Sequence, residues 1–148
     1  NSACVQKARE LAADCSEDDL DENNYIYKTD ELGRQCGATA CLQLKKHDKR
    51  KGNVGKPADK LPGDEAGHLF ADMFGGSRFL DNLVAQSFNV NRSEYRKMEN
   101  IWQRALKDGK SVYADIDLNY EGNSFRPTSF DITYYIDGEY TMLRIYNE

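Results

Sequence analysis

No apolar run in the 148 residues approaches the roughly 20 needed to cross a bilayer, which excludes a transmembrane helix. No signal peptide opens the chain, and residue 1 is asparagine and not methionine. The expectation is a mature or excised fragment whose own sequence does not say how it travels. Positive charge is not in excess: the formal net charge is −5, which at first argues against a polyanionic partner. No internal repeat is present, and no cysteine pair has the Cys-x-x-Cys spacing that would favour a zinc site. Histidine is scarce, with only His47 and His68 to serve as a base near neutral pH. What is there is a hydrophobic content of 39% and a charged content of 30%, the balance of one folded domain and not of a disordered chain.

The charge is unevenly spread. Residues 1–22 carry Lys7 and Arg9 against seven carboxylates, whereas residues 45–60 carry seven lysines and arginines against Asp48 and Asp59. A basic loop of that kind could contact phosphates, although a solvated surface loop is the commoner reading. The four cysteines are read as two short-range bridges, Cys4–Cys15 and Cys36–Cys41, suited to an exported protein, with free buried thiols as the alternative.

Residues 3–15 have helical spacing, and 16–24 are polar and acidic and read as a linker. Tyr25–Lys28 is a strand candidate, Asp30-Glu31-Leu32-Gly33 a turn, and Cys41–Leu44 the returning strand. Residues 45–64 read as a long loop. A helix is expected over 92–107, with Asn91 as N-cap and Glu94 three residues on in a capping-box pattern. Tyr95, Met98, Trp102 and Leu106 form its apolar stripe, and Asp108-Gly109 ends it. Alternating residues over 112–120, 130–136 and 140–146, with Asp137-Gly138 as a two-residue hairpin turn, predict an antiparallel meander. The fold class expected is α+β.

His68 follows Gly63-Asp64-Glu65-Ala66-Gly67, where small neighbours leave an imidazole reachable. A lone histidine is more often structural than catalytic. Asn91 and Glu99 stand eight residues apart, about 80° apart around a helix after whole turns, so an amide oxygen and a carboxylate share one side. Such a pair could anchor a hard divalent cation with waters completing its shell. The commoner uses of these residues are a plain helix cap and a solvent-facing carboxylate.

Three stretches taken together resemble the DNA/RNA non-specific endonucleases with a ββα-metal site. They are Asp64-Glu65-Ala66-Gly67-His68-Leu69, Asn82-Leu83-Val84-Ala85-Gln86, and Asn91 to Asn100 with Glu99 inside it. The Gly-Asp-Glu-Ala-Gly-His form, with Tyr27–Arg34 upstream and Asn123-Ser124-Phe125-Arg126-Pro127 downstream, resembles the branch found at the C-termini of secreted bacterial polymorphic toxins. The resemblance runs from about residue 25 to 148, leaving 1–24 as a helix and linker, a possible remnant of a delivery region. It implies a ββα-metal core ahead of the meander. His68 is implied as the general base, Asn91 as the single protein ligand of Mg²⁺ or a similar cation such as Mn²⁺, Glu99 as the carboxylate orienting metal-bound water, and Asn82 as an asparagine positioning the base or the phosphate.

Many relatives place an arginine before the glycine–histidine pair, where Ala66 stands here. The phosphate-binding cation is then expected among Arg92, Arg126, Lys97 and Arg78. The function implied is cleavage of DNA or RNA by the toxic tip of a larger secreted protein, delivered into a target-cell cytoplasm and restrained in its producer by an immunity protein. A non-catalytic nucleic-acid- or protein-binding module on the same fold is the alternative, as is a free scavenging nuclease.

Overall fold

The computed structural model describes residues 16–20, 25–44 and 55–148. The helix expected over 3–15 and most of the basic loop, including His47, lie outside the described residues. An antiparallel six-stranded sheet runs in the order β1 (Ser16–Leu20), β2 (Ile26–Thr29), β3 (Gln35–Cys41), β6 (Val112–Asn119), β7 (Ser129–Ile136), β8 (Glu139–Tyr146). A second, two-stranded sheet pairs β4 (Glu65–His68) with β5 (Leu83–Gln86), and two helices follow it, α1 (Phe88–Arg92) and α2 (Glu94–Lys107). The succession β4, β5, α2 is the expected ββα unit, and β6–β7–β8 is the expected meander.

The meander follows from period-two alternation. Val112, Ala114, Ile116 and Leu118 of β6 are buried, as are Phe130, Ile132 and Tyr134 of β7. Asp137 and Gly138 sit at φ 48° and 87°, the paired positive values that a type I′ hairpin requires. Helix α2 lays Tyr95, Met98, Trp102 and Ala105 on this sheet. Tyr95 meets Phe130 and Trp102 meets Tyr134 edge to face, with centroids 5.8 and 5.7 Å apart. Phe70 and Phe74, from the segment after β4, also pack against Trp102, and Tyr25 packs on Phe70. The core therefore joins the ββα unit to the large sheet.

Four expectations require correction. Residues 16–20, read as linker, form β1 and pair antiparallel with β2: backbone pairing along a sheet edge needs no apolar pattern. The returning strand is Gln35–Cys41, beginning directly after the turn, because Asp30 closes that turn on itself. Its carboxylate accepts the Leu32 and Arg34 N–H groups and the Arg34 Nε at 2.8–3.0 Å. The Cys36–Cys41 bridge is not formed: Cys36 carries a thiol, while Cys41 is disulfide-bonded. Both cysteines lie in β3, where five extended residues separate them by about 16 Å on opposite faces, far beyond the roughly 7 Å limit for a disulfide. The expected Cys4–Cys15 bridge lies outside the described residues.

The fourth concerns the helix start. Ser87 is the cap: its Oγ accepts the Val90 N–H at 3.1 Å and opens α1 before Asn91 is reached. Asn91 lies inside α1, its N–H bonded to the Ser87 carbonyl. The chain then breaks at Ser93 (φ −125°, ψ −90°), and α2 starts at Glu94. The end of the chain secures this junction. Buried Asn147 accepts the Ser87 N–H at 2.8 Å and donates to the carbonyls of Ala85 and Pro127.

Candidate active site

His68 is the last residue of β4, opposite Leu83 of β5, and is partly exposed. The backbone beyond it is held from two sides. The Leu69 N–H donates to the Asn82 carbonyl at 3.0 Å, and the Leu69 carbonyl accepts the Tyr95 hydroxyl at 2.7 Å. The strand thus delivers the imidazole from a fixed point between β5 and α2. Gly67 is needed just before it, because a Cβ there would stand 2.3 Å from the Gln86 Oε1 and 2.6 Å from its Cβ.

Asn82 is fully buried. Its Oδ1 accepts the Phe70 N–H at 2.8 Å, and its Nδ2 donates to the carbonyls of Phe70 and Ser77, both at 2.7 Å. The amide is spent on the segment leaving His68, so it reaches the base only through that backbone and offers nothing to a phosphate.

Asn91 donates from Nδ2 to Glu65 Oε1 at 2.9 Å. Arg92 grips the same carboxylate with Nε and Nη2, at 3.2 and 2.9 Å, and lies 4.8 Å over the ring of Phe88. These bonds, from Arg92 first and Asn91 second, hold the Glu65 carboxyl below its ordinary range. Glu65 is not among the site residues expected from the sequence. Its one signal there is its place at the start of the His68 strand.

Glu99 is buried, 7% exposed, and not solvent-facing. Burial pushes its carboxyl up to about 7, against a weak downward pull from Arg96, whose Nε lies 3.8 Å away. Tyr95, one turn earlier, is raised by burial and further by Glu99. A carboxylate so desolvated in apolar surroundings is out of place unless positive charge approaches it.

Of the four candidate phosphate cations, Arg126 is committed elsewhere. It forms an ion pair with Asp64 at 2.7 Å, with side chains only 16% and 4% exposed. Burial of Asp64 works upward, but the Arg126 hydrogen bond and the Leu61 N–H win and hold the carboxyl low. Arg92 is exposed yet gripped by Glu65. Lys97 is exposed on α2, and Arg78 lies 4.9 Å over the ring of Phe79.

A family model described as DNA/RNA non-specific endonuclease matches residues 15–138. The chain belongs to this family. The ordered set of His68, Asn82, Asn91 and Glu99 lies wholly within the match, and the enzyme class is an endonuclease, a hydrolase. Type VII secretion system protein EssD of Staphylococcus aureus (strain USA300) is 42% identical over 134 residues, which is 84% of this chain and 22% of that protein. Probable deoxyribonuclease RhsA of Dickeya dadantii (strain 3937) is 29% identical over 84 residues, 57% of this chain and 6% of that one. The chain thus spans about a fifth or less of these relatives. Among solved structures, NucA from Streptococcus agalactiae with magnesium ion bound superposes with a TM-score of 0.70 at 16% identity, covering 97% of this chain and 89% of that one. Sda1 nuclease with bound zinc ion gives 0.67 at 18% identity, covering 84% and 74%. At these identities the superpositions establish the fold.

Proposed function

We propose that the chain is a divalent-cation-dependent endonuclease that hydrolyses phosphodiester bonds of DNA, and of RNA as the second substrate, without base readout. The observation that carries this reading is the amide of Asn91. Its nitrogen is pinned by Glu65, and among the described residues its Oδ1 accepts no hydrogen bond, while Glu99 holds a buried carboxylate on α2, the helix that follows the break at Ser93. Both are hard oxygen donors. The described residues contain no cluster of three His, Cys, Asp or Glu that could cage an ion. A cation here would rest on one amide oxygen and keep most of its waters, which suits Mg²⁺ or Mn²⁺.

A bound divalent cation would supply positive charge beside the scissile phosphate as negative charge develops on it. His68 takes the proton of the attacking water. Glu99, ionised once positive charge is near, orients water at the site by accepting its hydrogen bonds. Asn82 acts on the base through the backbone it clamps. Arg92, beside Asn91 on α1, and Lys97, on α2, are the exposed cations we assign to the phosphate ahead of Arg78, and Arg126 is set aside because its ion pair with Asp64 is buried whereas that of Arg92 with Glu65 is open to solvent.

We further read the chain as the toxin domain of a longer secreted protein, acting in the cytoplasm of a competing cell and matched in its producer by an immunity protein that masks the site. The similarity to EssD and RhsA supports this. The test is incubation of purified protein with plasmid DNA and total RNA, with Mg²⁺, with Mn²⁺ and with chelator. Cleavage is expected only with added cation. Full cleavage in excess chelator would remove the metal reading, and no cleavage of either polymer would remove the enzyme reading.

A further inference from the structure

We infer that Glu65 is the positioning residue for the cation: it decides which end of the Asn91 amide faces the site. The inference rests on the reading of Asn91 as metal ligand and adds a residue to it. An amide presents two ends of nearly equal size, one donating and one accepting, and only the oxygen can hold a cation. Nothing in the covalent structure of Asn91 selects between them. A carboxylate selects, because an ionised carboxylate only accepts. With Oε1 of Glu65 placed 2.9 Å from the amide, the nitrogen must turn toward Glu65, and Oδ1 is left pointing away from it.

Glu65 can do this because it is itself immobilised. Arg92 takes both of its oxygens, at 3.2 and 2.9 Å, and the planar guanidinium fixes the plane of the carboxylate as well as its position. The backbone carrying Glu65 is anchored by its pairing with Gln86 across β4–β5. Arg92 follows Asn91 directly on α1, so one acidic side chain from the strand holds two consecutive helix residues. The geometry also explains a feature of the motif. The acidic residue stands three positions before His68, so the strand that presents the base also orients the ligand, and the two cannot drift independently.

The roles of Arg92 and Asn91 in this arrangement separate experimentally. Glu65→Ala, Glu65→Gln, Arg92→Ala and Asn91→Ala are compared with the unmodified chain by calorimetric titration with Mn²⁺, by melting in chelator, and by the Mn²⁺ dependence of plasmid cleavage. Loss of an outer partner of a metal ligand typically weakens metal binding about 10–100-fold. Glu65→Ala is expected to weaken Mn²⁺ binding by at least about 10-fold, and cleavage should recover at high Mn²⁺. Glu65→Gln, which keeps the size of the side chain and can still offer an oxygen to Asn91, should fall between Glu65→Ala and the unmodified chain and guards against a folding failure in Glu65→Ala. Arg92→Ala, which frees the Glu65 carboxylate but leaves it beside Asn91, should weaken Mn²⁺ binding clearly less than Glu65→Ala does. Glu65→Ala and Glu65→Gln both binding Mn²⁺ as the unmodified chain does, while Asn91→Ala binds none, would overturn the inference and leave the nuclease reading intact. Arg92→Ala weakening binding as much as Glu65→Ala would also overturn it, placing the effect on the arginine. An unmodified chain that neither binds Mn²⁺ nor cleaves would instead bring down the reading on which the inference rests.

Discussion

At the scale of single residues, two side chains carry distinct consequences. His68 stands at the end of β4, and the next residue, Leu69, is held by backbone bonds to Asn82 and Tyr95 that removal of the imidazole leaves in place. General-base catalysis is worth about 10²–10⁴-fold. His68→Ala should lose cleavage by that order with little change in melting temperature, whereas His47→Ala should cut at nearly the normal rate. Cleavage rates and melts of the two variants side by side decide it, and normal cutting by His68→Ala would end its assignment as base.

Glu99 couples the site to pH. Its carboxyl is raised by burial from 4.5 to about 7. Below about pH 4.5 it is protonated folded or unfolded and costs nothing. As pH rises toward 7 the unfolded chain releases this proton more readily than the folded one, so the group destabilises the fold increasingly, and above 7 the penalty is constant. Glu99→Gln in chelator should therefore melt like the unmodified chain near pH 4.5. Above pH 7 it should be more stable, by at most about 3 kcal/mol. Added Mg²⁺ should narrow that gap by favouring the ionised form. Melting curves across pH check it; a gap that shrank with rising pH would contradict the burial argument.

At the scale of elements, the fourteen residues between β4 and β5 have little regular structure beyond two 3₁₀ turns, Asp72–Phe74 and Leu80–Asn82. They are held by side chains reaching inward: Asn82 with its three hydrogen bonds, the Tyr25 hydroxyl on the Phe74 carbonyl, and the Tyr27 hydroxyl accepting the Ser77 N–H at 3.0 Å. Gly76 lets the segment close, since a Cβ there would come within 2.0 Å of the Phe70 carbonyl oxygen. Asn82→Ala strands the buried N–H and carbonyl of Phe70 and the part-buried carbonyl of Ser77. Each unsatisfied group costs about 1–3 kcal/mol, with relaxation shared among them, and about 1 kcal/mol moves the melt by about 2–4 °C in a chain of this size. The expected result is a drop in melting temperature of at least about 4 °C. Cleavage measured below the melt should fall, with Mn²⁺ affinity unchanged because Asn91 lies on a different element. Lost cleavage with an unaltered melt would make Asn82 a substrate contact instead.

At the scale of the whole molecule, β3 carries a disulfide tie at Cys41, while Cys36 of the same strand keeps its thiol. Alkylation of unfolded, unreduced protein followed by peptide mass spectrometry should label Cys36 and leave Cys41 unlabelled. Labelling of both would show that no such tie exists.

Much of this molecule was legible in the sequence because it rests on local rules. The β6–β7–β8 meander follows from alternation and the Asp137-Gly138 turn, the face of α2 from the spacing of Tyr95, Met98 and Trp102, and the family from the order of His68, Asn82, Asn91 and Glu99. What the sequence did not determine depends on groups far apart in the chain. Asn91 looked like a cap because capping is the usual local use of that residue type. Only the approach of Glu65, 26 residues earlier, gives its amide another partner. Glu99 looked exposed because one helix turn does not reveal what packs over it, and Arg126 looked available because Asp64 is 62 residues away. The cysteines misled for the same reason: closeness in sequence favours a bridge only where the backbone bends, and the pairing of β3 with β2 and β6 keeps it straight. Local propensity and pattern are written residue by residue, whereas the use made of a buried polar group is decided by whichever partner the fold brings to it.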